Sequence, residues 1–281
     1  MRQLVIAAIA ASAATVTQIA AAADLPVKAP APVAAPVHNW TGFYVGANIG
    51  GGWGNRNVDY SPNDPLMVDF GAPPATSFRT SGVLGGLQLG YNWQFNRNWL
   101  LGLEADFDGS GMDGSGANSV VADFGPGGLV PFTQTANEKI KWFGTARMRL
   151  GYVPRDNLLA YVTGGFAYGR VEHNGIYVDN GIGTGINLIG PNFSFLCTAA
   201  STCFSGSSSD VATGWTVGGG LEYAIWQHWT LKAEYLYVSL EGKSVTETAV
   251  SFSPGFTPAS FNANYNRTSF NVGRVGVNYR F

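Results

Sequence analysis

The strongest constraint on this chain is a period of two. Phe281, Tyr279, Val277, Val275 and Gly273 fall on one face of an extended segment, and Arg280, Asn278, Gly276 and Arg274 fall on the other. Successive side chains of a strand point to opposite sides, so one face is apolar and the other polar. The pattern recurs upstream. Phe43, Val45, Ala47 and Ile49 alternate with Tyr44, Gly46, Asn48 and Gly50; Leu87, Leu89, Tyr91, Trp93 and Phe95 alternate with Gln88, Gly90, Asn92 and Gln94. Trp99, Leu101, Leu103, Ala105 and Phe107 oppose Gly102, Glu104, Asp106 and Asp108. Trp215, Val217, Leu221 and Tyr223 oppose Thr216, Gly218, Gly220 and Glu222; Trp229, Leu231, Ala233, Tyr235 and Tyr237 oppose Thr230, Lys232, Glu234 and Leu236.

The spacing predicts eight strands, at 42–52, 81–95, 99–110, 139–153, 158–172, 212–225, 229–240 and 269–281. In the fourth, Ile140, Trp142, Ala146, Met148, Leu150 and Tyr152 form the apolar set, against Lys139, Lys141, Thr145, Arg147 and Arg149. The fifth has an open phase, with Tyr161 and Thr163 on one face and Phe166, Tyr168 and Arg170 on the other. Strands two and three, four and five, and six and seven are joined by tight turns such as Asn96-Arg97-Asn98 and Pro154-Arg155-Asp156-Asn157. The other joints are polar, Gly-rich stretches longer than about 20 residues, far above the usual 4–6. A hairpin around 185–195 and strands running beyond the expected ends are alternatives within them.

The N-terminus reads as an export signal. Met1-Arg2 opens an Ala-rich apolar run that ends in Ile19-Ala20-Ala21-Ala22-Ala23-Asp24, the layout of a cleavable signal peptide with the cut after Ala22. Thr15, Thr17 and Gln18 interrupt the run, and no segment reaches the roughly 20 apolar residues of a spanning helix. Residues 23–39 are rich in Pro and Ala and read as an extended periplasmic tether, leaving 40–281 as the folded domain.

Without spanning helices, only a closed barrel satisfies every backbone N–H and C=O in hydrocarbon. Strictly alternating short and long joints fit an outer-membrane barrel, with short periplasmic turns and long outer loops. The expected fold is therefore all-β: an eight-stranded antiparallel up-and-down transmembrane barrel with four long outer loops. Trp93, Phe95, Trp99, Trp226 and Trp229 flank the short turns, as an aromatic girdle requires. Charged residues make up 12% of the chain, about half the usual share in soluble domains, and mean hydropathy is +0.05, as expected when alternate residues are apolar. The competing fold is a soluble sandwich or lipocalin-like barrel, with apolar faces inward and charges outward.

Eight strands leave a lumen just wide enough for side chains. The inward faces would carry Glu104, Asp106, Asp108, Lys141, Arg147, Arg149, Glu222, Lys232, Glu234, Arg274 and Arg280. Buried charges must pair, so the expectation is an ion-pair network that plugs the lumen. In it, acids of the third and seventh strands face bases of the fourth and eighth.

Cys197 and Cys203 read as a small disulfide loop, because an exported protein meets an oxidising compartment. Catalysis has no support. The carboxylates point into a packed interior with no room for a sugar, and the histidines are scattered: His38 in the tether, His173 at a strand end, His228 in a turn. No cofactor or metal set is evident, and a net charge of −2 argues against a nucleic-acid partner.

Asn39-Trp40-Thr41-Gly42-Phe43-Tyr44-Val45-Gly46-Ala47-Asn48-Ile49-Gly50-Gly51-Gly52-Trp53-Gly54 resembles the first strand of small alphaproteobacterial outer-membrane proteins, the RopB-like surface antigens of the OmpA-like barrel superfamily. Ala23-Asp24-Leu25-Pro26, the segment Trp142-Phe143-Gly144-Thr145-Ala146-Arg147-Met148-Arg149-Leu150-Gly151-Tyr152 and the terminal Val275-Gly276-Val277-Asn278-Tyr279-Arg280-Phe281 resemble that group too. The resemblance implies an eight-stranded outer-membrane barrel inserted by the barrel-assembly machinery, with Val277, Tyr279 and Phe281 as insertion signal. It covers 40–281 but not the loops; the stretch 174–211 with its cysteines has no counterpart.

The leading functional expectation is a structural, surface-exposed barrel contributing to envelope integrity. Its partners would be outer-membrane lipid and lipopolysaccharide, with peptidoglycan and host factors as further candidates. The alternatives are a small porin and a loop-mediated haem or ligand receptor, for which His173, Tyr60, Tyr177 and Tyr265 are the conceivable axial ligands.

Overall fold

The computed structural model describes residues 38–123, 128–182 and 185–281. The signal peptide at 1–22 and residues 23–37 of the tether lie outside the described residues. Among the described residues thirteen strands and one short helix follow in order: β1 (Gly42–Pro62), α1 (Pro65–Phe70), β2 (Thr76–Gln94), β3 (Trp99–Asp123), β4 (Leu129–Arg155), β5 (Leu158–Asp179), β6 (Ile186–Ile189), β7 (Phe193–Cys197), β8 (Thr202–Ala224), β9 (Trp229–Leu240), β10 (Lys243–Ala249), β11 (Thr257–Pro258), β12 (Ser260–Tyr265) and β13 (Thr268–Arg280).

Eight of these close a ring. The order β1-β13-β9-β8-β5-β4-β3-β2 returns to β1 through the β1–β2 ladder, and every pairing in it is antiparallel. At the short-turn end, Asn96 Oδ1 accepts from the backbone N–H of Asn98 and Trp99, at 3.0 and 2.7 Å, and so fixes the β2–β3 turn. Towards the other end β12 takes the place of β13 beside β1, and β10 the place of β9 beside β8. The wall thus continues as eight strands above a break at Glu241–Gly242 and Asn266–Arg267.

The long joints contain far more strand than expected. β3 and β4 pair up to Asp123↔Leu129, so only residues 124–128 remain between them. β5 and β8 pair up to Val178↔Thr202, and the hairpin around 185–195, an alternative to the eight-strand reading, is present as β6 and β7. The expected strand ends were too early because alternation there uses small and polar residues rather than aromatics. In β4, Phe132, Gln134, Ala136 and Glu138 are buried while Thr133, Thr135 and Asn137 are partly exposed, an unbroken period of two.

The apolar stripe points outward. Leu89, Leu103, Met148 and Val162 are each more than 60% exposed, whereas Arg147, Arg149, Lys232 and Glu104 are 2% exposed or less. A soluble barrel has the reverse arrangement, which excludes that alternative. Aromatics ring both edges of the greasy band: Trp99 on Tyr152 and Trp229 on Tyr279 near the short turns, and Phe107 on Trp142 and Trp215 on Tyr237 at the far edge. The fifth strand's phase is settled, with Tyr161 and Thr163 inward and Phe166 outward.

Inside, glycines make room for large side chains. A Cβ on Gly220 would come within 2.6 Å of the Tyr161 hydroxyl, and one on Gly90 would collide with that of Tyr44. Both tyrosines therefore lie across the lumen, over a neighbouring strand's backbone.

The far end is capped. Leu66, Met67, Phe132, Tyr177, Phe195, Phe204 and Phe261 pack with the Cys197–Cys203 disulfide into an apolar cluster under α1 and the small β11-β7-β6 sheet. Asp64 ties α1 to the wall: its carboxylate accepts from Met67 N at 3.0 Å and from Ser260 N at 2.6 Å.

A charge on the outward band distinguishes membrane from solvent. Leu89→Arg is expected to destabilise by about 2–4 kcal/mol, and Ala117→Arg, above the upper girdle on β3, by less than about 0.5 kcal/mol. Urea unfolding in lipid vesicles measures both.

Candidate functional site

The polar interior is built by period-two alternation on five strands. β3 supplies Glu104, Asp106 and Asp108, β4 Arg147 and Arg149, β8 Glu222, β9 Lys232 and Glu234, and β13 Arg274. Arg147 sits at the centre. Its Nη2 donates to Glu104 Oε1 at 2.5 Å and Asp106 Oδ2 at 2.7 Å, and its Nη1 to Glu234 Oε1 at 3.0 Å. Arg274 donates to Asp106 Oδ2 at 2.7 Å, Asp108 Oδ2 at 2.6 Å and Glu234 Oε2 at 2.8 Å. Lys232 Nζ reaches both oxygens of Glu104, at 2.8 and 3.0 Å. Arg149 Nη2 reaches Glu222 at 2.8 Å, and its guanidinium lies 3.9 Å from the Tyr161 ring centroid.

Neutral donors complete the shell. Tyr44 Oη donates to Glu104 at 2.7 Å, Tyr161 Oη to Glu234 at 2.8 Å, and Asn278 Nδ2 to Glu222 at 2.9 Å. Glutamate lone pairs that would otherwise face a dry interior thus gain donors, as a buried ion pair requires, whereas Asp106 Oδ1 and Asp108 Oδ1 are buried without a hydrogen-bond partner.

Two expected members are elsewhere. Lys141 lies on the outer surface, pairing with Glu172 at 3.2 Å with 41% of its side chain exposed. The cause is a bulge in β4 between Ile140 and Trp142, which puts odd-numbered residues outside above it and inside below it. An uninterrupted alternation could not reveal that phase flip. Arg280 stays at the short-turn end, 6.0 Å from the ring of Trp40, and makes no ion pair among the described residues. Trp40 itself is buried and donates from Nε1 to Asp156 O at 3.2 Å, closing that end.

A second polar layer escaped the sequence reading because it lies beyond the expected strand ends. Arg56 Nε pairs with Glu138, whose other oxygen accepts from Thr268 Oγ1 at 3.1 Å and lies 3.4 Å from His173 Nε2. Burial alone would raise the Glu138 carboxyl, but His173 and Arg56 hold it below the ordinary carboxylate range. The signal was available in the alternation of Arg56, Val58 and Tyr60 with Asn57 and Asp59.

The conceivable haem ligands face inward. The His173 ring lies 4.3 Å from that of Tyr265, whose hydroxyl donates to Asn174 O at 3.0 Å; Tyr177 stacks on Phe132 at 4.9 Å. His173, Tyr177 and Tyr265 are under 5% exposed, so none is offered to a ligand at the loop surface. Among the described residues no group of three or more His, Cys, Asp or Glu could hold a metal. Val277 lies in the outward band, and Tyr279 in the lower girdle, its ring 5.3 Å from that of Phe281.

The model for the outer membrane protein beta-barrel domain matches residues 6–281. The chain belongs to this family of outer-membrane β-barrels. It is 37% identical over 284 residues to the 31 kDa outer-membrane immunogenic protein of Brucella melitensis, covering all of both chains. It is 28% identical over 221 residues to the 22 kDa outer membrane protein of Rhizobium leguminosarum, covering 79% of this chain and 74% of that one. Among solved structures, OprG of Pseudomonas aeruginosa aligns over 86% of this chain and 98% of its own, at 12% identity and a TM-score of 0.40, too loosely to bear on function. As a family member the protein resides in the outer membrane.

Glu104→Ala leaves Lys232 with only Glu234, at 3.5 Å, and weakens two arginine sites, so it is expected to cost about 3–5 kcal/mol. Lys141→Ala, breaking only an exposed pair, costs about 0–1 kcal/mol. Urea midpoints of the two refolded variants separate these outcomes.

Proposed function

We propose that this protein is a structural, surface-presenting barrel that strengthens the envelope, not a conduit. The observation that carries this reading is the lumen's stacking of layers. Upward from the periplasmic side come the apolar group around Trp40, Leu100 and Leu159; the ionic layer around Arg147; a second apolar group including Met112, Phe143 and Phe270; the Arg56–Glu138–His173 layer; and a third apolar group with Val58, Val245 and Tyr265. The disulfide-braced cap closes the top. An ion entering such a lumen must shed its water against Phe143 and Phe270, which offer it nothing in return. The Brucella relative is named an immunogenic protein, which agrees with a surface-exposed cap.

The outer wall supports lipid as the main partner. Lys141 and Arg170, near the upper girdle, face away from the lumen, where phosphates of lipopolysaccharide lie within reach. The outward Val277 and the terminal aromatics Tyr279 and Phe281 are proposed to engage the assembly machinery during insertion. Planar-bilayer recording tests the reading: the purified protein is expected to give no steady single-channel steps, and reproducible steps of defined size would establish the small-porin alternative instead.

A further inference from the structure

Buried glutamates in this barrel are matched with cations. Glu104, Glu138, Glu222 and Glu234 each have an arginine or lysine partner. Glu247, on β10 just beneath the cap, is equally buried yet has none among the described residues. Both its oxygens accept from a single donor, Gln134 Nε2 of β4, at 3.0 and 3.1 Å.

The carboxylate lies against backbone: a Cβ on Gly175 of β5 would run into it, and one on Gly206 of β8 would come within 3.0 Å of the Glu247 Cγ. Tyr60 of β1 and Tyr265 of β12 are the titratable groups that feel its charge, and both are phenols. Thr76 of β2 lies beside Tyr60. Arg56 and His173, in the lumen wall below, are engaged by Glu138. Gln134 Oε1, Tyr60 Oη and Thr76 Oγ1 are buried without a hydrogen-bond partner.

We propose that Glu247 is a proton-binding site that latches the extracellular end of the barrel. A proton on the carboxyl group donates to the orphaned Gln134 Oε1 after a small rotation of the amide, while Gln134 Nε2 still donates to the second carboxyl oxygen. Acid and amide then satisfy each other and no charge is left in the apolar surroundings. The location makes this a latch. β10 pairs with β8 through only Thr248↔Ser205 and Ala249↔Phe204, the shortest ladder in the wall, and Glu247 adjoins it. Burial supports the assignment by pushing the Glu247 carboxyl up to about 7.

The sign follows from linkage. The closed end binds the proton more tightly than an opened one, in which the carboxyl titrates near its ordinary value. Closure is therefore strongest in acid, weakens by roughly tenfold per pH unit as the opened form ionises, and levels off above the closed-state value. The opening equilibrium shifts by about two orders of magnitude between pH 5 and pH 8.

The test uses the refolded full barrel in lipid, with heat-modifiable gel mobility confirming folding. Amide protection factors of β10 and the infrared carbonyl band of a protonated carboxyl are followed with pH. In the wild type, the band is expected to disappear with a midpoint near 7, and β10 protection to fall in parallel. In Glu247→Gln the band is missing and protection is flat with pH. If that variant does not refold, Gln134→Leu serves: removing the amide moves the midpoint upward. A midpoint in the ordinary carboxylate range, or the same loss of protection in Glu247→Gln, overturns the proposal. Restoration of wild-type protection at pH 8 by potassium or calcium also overturns it, by making a metal ion the occupant.

Discussion

A backbone inside hydrocarbon must satisfy all of its own hydrogen bonds, and closure of the β1–β2 ladder is what allows this chain to do so. Every other feature inherits from that ring. Eight strands fix a narrow bore. The bore in turn decides which side chains can be inside and obliges polar ones to meet partners on strands far apart in sequence. Arg147 and Glu234 are separated by 87 positions, yet they lie 3.0 Å apart because the ring brings their inward faces together. Tyr44 and Tyr161 fit only because Gly90 and Gly220 leave space on the neighbouring strands.

The ion network is better understood as a register device than as a source of net stability. A buried pair gains little over a well-packed apolar substitute, but a broken one is costly. A slip of one residue between β3 and β4 would turn Glu104 and Asp106 toward lipid and bring Leu103 and Ala105 inward. Such a slip takes the β3 acids from Arg147 and Arg274 and leaves Glu234 alone to serve both. Alternation of charged and apolar layers along the axis extends the same control upward, where the wall carries β10 and β12 in place of β9 and β13.

Much of this was legible in the sequence, for a physical reason. Inside the greasy band each outward residue must be apolar and each inward one polar or small, so Leu87–Leu89–Tyr91–Trp93 and Gln88–Gly90–Asn92 announce both strand and phase. Above the band, solvent replaces lipid and the contrast fades. Thr133, Thr135 and Asn137 outside and Gln134, Ala136 and Glu138 inside look like a loop when read by hydropathy. That is why the upper wall stood only as an alternative, and the Arg56–Glu138 layer and the environment of Glu247 were not anticipated. The misplacement of Lys141 has a different origin, since a bulge adds a residue to one strand without marking the sequence.

The central claim concerns which stripe touches acyl chains. A photoactivated carbene precursor dissolved in the bilayer, followed by peptide mapping, reads this directly. Modification of Leu89, Met148 and Val277, with Arg147, Lys232 and Glu234 left unmodified, is the predicted result. Modification of the charged set, with the leucine, methionine and valine untouched, would contradict the account at its base.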